Sequence, residues 1–173
     1  MSENQAINNL LERRSVRSYK KDPIKEEDLN LILKAGTFAP TAMGKQSPII
    51  VLLTKKEDID ELETLNRCYT TQEAPFYGAP CVAVVLADSE RPTCVEDGSL
   101  VMGNLMNAAH ALGVGSCWIH RARQVFDSAE GKALLRRWGL PETLIGIGHC
   151  ILGYPSGPLL EAKPRKDNYI VKI

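Results

Sequence analysis

The chain has 173 residues, 44% hydrophobic and 24% charged, ordinary globular values that exclude wholesale disorder. At this length one domain spanning 1–173 is expected, burying about 70% of its unfolded surface. Twenty-one Lys and Arg balance twenty-one Asp and Glu, so no global field draws the protein to nucleic acid or an anionic membrane, and any anion site must be a local cluster.

Ile7, Leu10 and Leu11 stand at helical spacing and predict a short amphipathic helix over 4–13. It runs into Arg13-Arg14-Ser15-Val16-Arg17-Ser18-Tyr19, a basic, partly β-branched segment that reads as extended. Asp22-Pro23 opens a second helix with Leu29, Ile32, Leu33 and Ala35 on one face, and Pro40 ends it. The polar stretch Thr41 to Pro48 reads as a functional loop. Ile49 to Leu53 is an unbroken apolar run, the mark of a strand covered on both faces. A third helix is predicted over 58–66, and a polar connection over 67–79 leads to a second buried strand, Cys81 to Leu86.

The long central helix spans Val95 to Leu112, with Gly113 as its stop. Its Glu96, Asp97, Asn104, Asn107 and His110 are too many polar groups for a membrane span. Ser116 to Ile119 predicts a short strand, Ser128 caps a helix through Trp138, and Ile145 to Leu152 is a strand interrupted by glycines. The tail from Gly153 has little periodicity. This order predicts an α+β domain with helices on a central sheet. Five dispersed cysteines without a C-x-x-C pair, behind a polar N-terminal stretch, predict free thiols in a reducing cytoplasm.

Several chemistries fail on spacing. Gly113-Val114-Gly115 follows a helix and lacks the third glycine of a dinucleotide fingerprint, and Gly146-Ile147-Gly148 sits inside a strand. His110, His120 and His149 have no metal-ligand spacing, so no metal is expected. There is no G-x-S-x-G elbow, and Cys81 and Cys150 lie in apolar strands where a thiol is inert packing. Two basic clusters remain, Arg13/Arg14/Arg17/Lys20/Lys21 and Lys163/Arg165/Lys166. Each reads either as a solvated face or, with Ser15 and Ser18 supplying hydroxyls, as donors for a phosphate monoester.

The segment Arg13 to Tyr19, followed by Ala39-Pro40-Thr41 and Gln46, resembles the nitroreductase family of FMN flavoproteins. The resemblance continues through Phe76-Tyr77-Gly78-Ala79-Pro80, Asn104 to Ala109 and Leu112 to Ile119, and it closes with Ile151 to Pro155 and Lys163 to Lys166. No single motif is specific; their conjunction over nearly the whole chain is. The resemblance implies a central, mostly antiparallel sheet flanked by helices, in an intertwined homodimer with FMN at the subunit interface. It assigns Arg13, Arg14 and Ser15 to the FMN phosphate and ribityl chain, and Arg17 to the pyrimidine edge. Pro40, Thr41, Ala42 and Gln46 match the loop that the partner lays over the ring, Trp118, Ile119 and His120 the segment near N5, and Lys163 and Arg165 the C-terminal phosphate ligands.

A fixed cation at the pyrimidine edge favours flavin reduction, so Arg17 has a physical rationale. The implied activity is that of an oxidoreductase taking hydride from NAD(P)H and passing it to a small electron acceptor such as a nitroaromatic or quinone. No catalytic side chain is expected, because flavin N5 carries the chemistry. Alternatives are a specialised flavin dehydrogenase or dehalogenase of the same fold, or a non-catalytic flavin-binding module. Gly44 stands where many members carry Asn, and Gln46-Ser47-Pro48 where they carry Gln-Pro. The stretch between Ala87 and Thr93 is too short for an extra lid helix. The wide apolar girth of the central helix also fits a second helix across a two-fold axis.

Overall fold

The computed structural model describes residues 3–173. Helix α1, Gln5–Glu12, is capped by Asn4, whose Oδ1 accepts from the backbone of Ala6 and Ile7. Helix α2 covers Glu26–Thr37, starting later than Asp22-Pro23 suggests. Its first turn holds Glu26, Glu27 and Asp28, the charge a helix N-terminus favours. The preceding stretch is held elsewhere: Lys20 N–H donates to Tyr154 O at 2.8 Å and Lys25 N–H to the Tyr154 hydroxyl at 3.3 Å.

Strands β1 (Ile49–Leu53), β2 (Cys81–Asp88), β3 (Gly115–Ile119) and β4 (Leu144–Gly153) form one sheet in the order β1-β2-β4-β3, antiparallel throughout. This is the expected α+β architecture. Helix α3 (Lys56–Arg67), with α5 (Ala122–Asp127) and α6 (Ala129–Arg137), covers one face, and α2 with α4 (Cys94–Ala111) covers the other. Strand β2 shows the alternation: Val82, Val84 and Leu86 pack toward the first face, Cys81, Ala83, Val85 and Ala87 toward the second.

Besides the start of α2, two features depart from the sequence reading, and a third gives its glycine-interrupted strand a physical form. Strand β1 is an edge strand, so Ile49 to Leu52 are only half-buried rather than covered on both faces. Helix α5 falls where no helix was expected, because six residues carry too little periodicity to announce one. The glycines of β4 mark a bulge: pairing passes from Val85↔Gly148 to Leu86↔Gly146, leaving Ile147 unpaired. A Cβ on Gly146 would collide with the Ala122 carbonyl, and one on Gly148 with the Trp118 indole, so both positions need glycine. Ser128 and Gly113 act as expected. Ser128 Oγ accepts from Gly131 N–H at 3.0 Å, and Gly113, at φ 71°, lets Val114 N–H close α4 on Ala109 O at 2.8 Å.

Candidate functional site

The basic segment is pinned to the sheet. Ser15 forms a parallel bridge with Ser116 on β3, and Val16 N–H donates to Ser116 O at 2.9 Å. Tyr19 hydroxyl donates to Val16 O at 2.6 Å, and burial pushes its phenol up. This fixes where Arg13, Arg14 and Arg17 leave the backbone. Beyond the bridge no strand pairs with the outer edge of β3 among the described residues.

Two clefts flank that edge. One, about 250 Å3, is lined by Arg14, Val16, His110, Gly115, Ser116 and Gly157 among others. Arg14 Nη1 donates to Leu11 O and Arg13 O, both at 2.7 Å, so part of its fork caps the carboxyl end of α1. Arg14 Nε, Arg13 Nη1 and Ser116 Oγ are buried without a partner. Unpaired buried donors are costly, and an anion that accepts from them removes the cost. Burial lowers the His110 pKa; Glu12 opposes that shift, and Arg13 and Arg14 add to it.

The second cleft, about 270 Å3, brings Arg17 together with Trp118, Ile119 and His120. Its far wall includes Asn66, Gln72 and Tyr77, and Gln72 Nε2 donates to the Tyr77 hydroxyl at 2.7 Å. Buried Asn66 donates through Nδ2 to His120 O at 2.9 Å, which fixes the turn after β3. The Trp118 side chain packs over Gly148 on the opposite face of the sheet from Cys117 and Ile119.

The loop residues lie elsewhere. Thr41 and Gln46 line a third groove, about 380 Å3, with Leu33, Lys34, Ile50 and Leu52, and they line neither cleft at β3. Pro40 is exposed and Ala42 half-buried. Ala42 N–H donates to Asp97 Oδ1 at 3.0 Å, Thr93 hydroxyl donates to Asp97 Oδ2 at 3.3 Å, and Gln46 N–H donates to Thr41 Oγ1 at 3.0 Å. Lys163 and Arg165 sit in the exposed tail and also line neither cleft.

Sequence reasoning missed Asp97, seen only as a polar group within a helix, and Asn66, which nothing in the sequence singles out. It also missed the left-handed backbone of Met43, Gln46, Tyr77 and Arg121, the non-glycine residues with positive φ among those described. All of these lie in the loop or beside the second cleft, where strained backbone tends to gather.

No group of three or more His, Cys, Asp or Glu could hold a metal among the described residues. Burial pushes the Cys81 thiol up to about 12 and the Cys150 thiol higher still, as inert packing requires. Among the described residues no helix is long and apolar enough to cross a membrane.

Comparison with known proteins gives a family and a fold. The sequence profile of the Nitroreductase family matches residues 10–75 and 62–154. A protein of Archaeoglobus fulgidus, named as a candidate NADH dehydrogenase/NAD(P)H nitroreductase, is 33% identical over 163 residues, 91% of this chain and 85% of its own length. The NADPH-flavin oxidoreductase of Vibrio harveyi is 29% identical over 97% of this chain and 72% of its own. A crystal structure of a Bacteroides fragilis nitroreductase with bound FMN superposes with a TM-score of 0.90 at 29% identity, covering 98% of this chain and 99% of that one.

Proposed function

The chain belongs to the nitroreductase family, and on that premise we propose that it is an FMN-dependent NAD(P)H oxidoreductase whose flavin sites lie between two copies of the chain. The observation that carries this reading is the open outer edge of β3. Arg17 and the 118–120 segment meet there in one cleft, beside the buried, unpartnered Arg13 and Arg14 donors. FMN held there would supply hydride-transfer chemistry between NAD(P)H and an acceptor such as a nitroaromatic or quinone.

The chain's own residues do the rest. Arg13, Arg14 and Ser15 supply donors for the phosphate, and Arg14 does so with the part of its fork not spent on α1. Arg17 places a cation at the pyrimidine edge. Asn66 holds the turn at His120, and Asp97 holds the loop at Ala42. In the proposed dimer the partner brings that loop, with Pro40, Thr41 and Gln46, over the β3 edge, and Lys163 and Arg165 add to the phosphate site. The purified protein is then yellow, and its visible absorbance bleaches anaerobically with NADH or NADPH and returns when a nitroaromatic or quinone is added. A protein that takes up no added FMN would refute the reading.

A further inference from the structure

The second cleft has a charge imbalance that the cofactor reading does not use. Its lining includes Arg17, His120 and Arg121 and no carboxylate, in a protein whose acids and bases balance. Arg17 is assigned to the flavin above. Arg121 is exposed and has no hydrogen bond or ion pair from its side chain among the described residues. Arg123, two residues on, is by contrast paired with Asp127 at 2.6 Å.

The backbone adds a second observation. Arg121 sits at φ 81°, ψ 2°, the left-handed region where glycine rests without penalty and a side chain is strained. Two contacts hold it there. Asn66 fixes the preceding carbonyl, and Val125 N–H donates to Arg121 O at 3.0 Å, opening α5. If the turn alone mattered, glycine would make it more cheaply. The side chain therefore has a use, and an unpaired guanidinium at an acid-free cleft is a fork for a carboxylate or phosphate.

We propose that Arg121 recognises an anionic group, a carboxylate or a phosphate monoester, on the small-molecule substrate of this cleft. The inference rests on the cleft being the substrate side of the flavin site. The anion has two sources, a carboxylate on the electron acceptor or the 2′-phosphate of NADPH.

The test is calorimetric, with non-reacting probe pairs on the purified protein. One pair is 4-nitrobenzoate against 4-nitrobenzyl alcohol, and the other NADP+ against NAD+. The wild type, Arg121→Gln, Arg121→Gly and Arg121→Lys are compared. In the Gln and Gly variants one Kd ratio drops by about three- to tenfold, the scale of an exposed charge-assisted contact. The Lys variant retains most of the preference, and added salt shrinks it in the wild type. Loss on the nitrobenzoate arm assigns the anion to the acceptor; loss on the NADP+ arm assigns it to the nucleotide. The Gly variant relieves the backbone, so a purely structural role would leave both ratios unchanged, and unchanged ratios in both Gln and Gly overturn the proposal. Flavin uptake and bleaching are read separately, so a failure of the cofactor reading is distinguishable from a failure at Arg121.

Discussion

Substituting His149 should change how stability depends on pH. His149 lies on β4, fully buried, with its ring centroid 5.3 Å from that of Phe76 and 6.2 Å from that of Phe126. Neither ring nitrogen has a hydrogen-bond partner. Burial pulls its pKa from the ordinary 6.5 down to about 3, since nothing nearby stabilises the imidazolium. The unfolded chain takes the proton below 6.5 and the folded chain does not until about 3. Stability from this group is therefore full above the unfolded value and lost as pH falls through that window.

Integrating that difference from about pH 7.5 to about pH 5 gives a loss of about 2 kcal/mol per chain. His149→Leu removes the titration while keeping nearly the same volume. Urea unfolding of both proteins at both pH values gives a difference of differences in which other titrating groups cancel, because the ring's aromatic neighbours carry no charge. The variant should lose about 2 kcal/mol less than the wild type over this interval, whatever its stability at neutral pH. Equal pH dependence in the two proteins would refute the reasoning and require an unseen partner for the imidazole.

Three further outcomes are expected. Arg13→Ala and Arg165→Ala should each weaken FMN binding by about 1.5–3 kcal/mol in an apoprotein titration, and wild-type affinity in either removes that residue from the phosphate site. Arg17→Gln should lower the flavin reduction potential with a smaller loss of affinity than Arg13→Ala; an unchanged potential places Arg17 away from the ring. On dilution, light scattering and flavin absorbance should fall together, whereas a monomer that keeps stoichiometric FMN rules out a shared site.

What the sequence revealed follows from how local each signal is. Strands β2 and β4 announce themselves because they are buried on both faces, so nearly every residue is apolar. Ser128 and Gly113 are readable because caps depend on a few adjacent residues. Strand β1 carries the same apolar run, yet being an edge is a property of the whole sheet and leaves no mark in its five residues. The bulge at Ile147 showed only as flanking glycines, whose reason is the approach of Ala122 and Trp118 from distant segments. At the site, the meeting of Arg17 with 118–120 came from the resemblance. The anchoring by Asn66 and Asp97 did not, since a buried amide or carboxylate looks like any polar residue until its partner is known.

The separation between the loop and the β3 clefts gives the exposed apolar residues a common explanation. Helix α1 buries none of its residues, and Ile7, Leu10 and Leu11 are 45% to 61% exposed. On α4, Val95 and Leu100 are about half exposed, and in the tail Leu160, Ile170 and Val171 are more than two-thirds exposed. An isolated apolar side chain on a surface needs no account, but here several stand exposed on the outer sides of α1, α4 and the tail. The loop, meanwhile, is built to be rigid: buried Asp97 grips Ala42, Thr41 grips Gln46, and Met43 and Gln46 hold left-handed backbone. A solvated linker has no need of that ordering. In the proposed dimer, this ordered loop and the exposed apolar residues of α1, α4 and the tail are the two halves of one interface. In the proposed dimer each chain covers the other's exposed helices and brings its rigid loop over the other's open β3 edge.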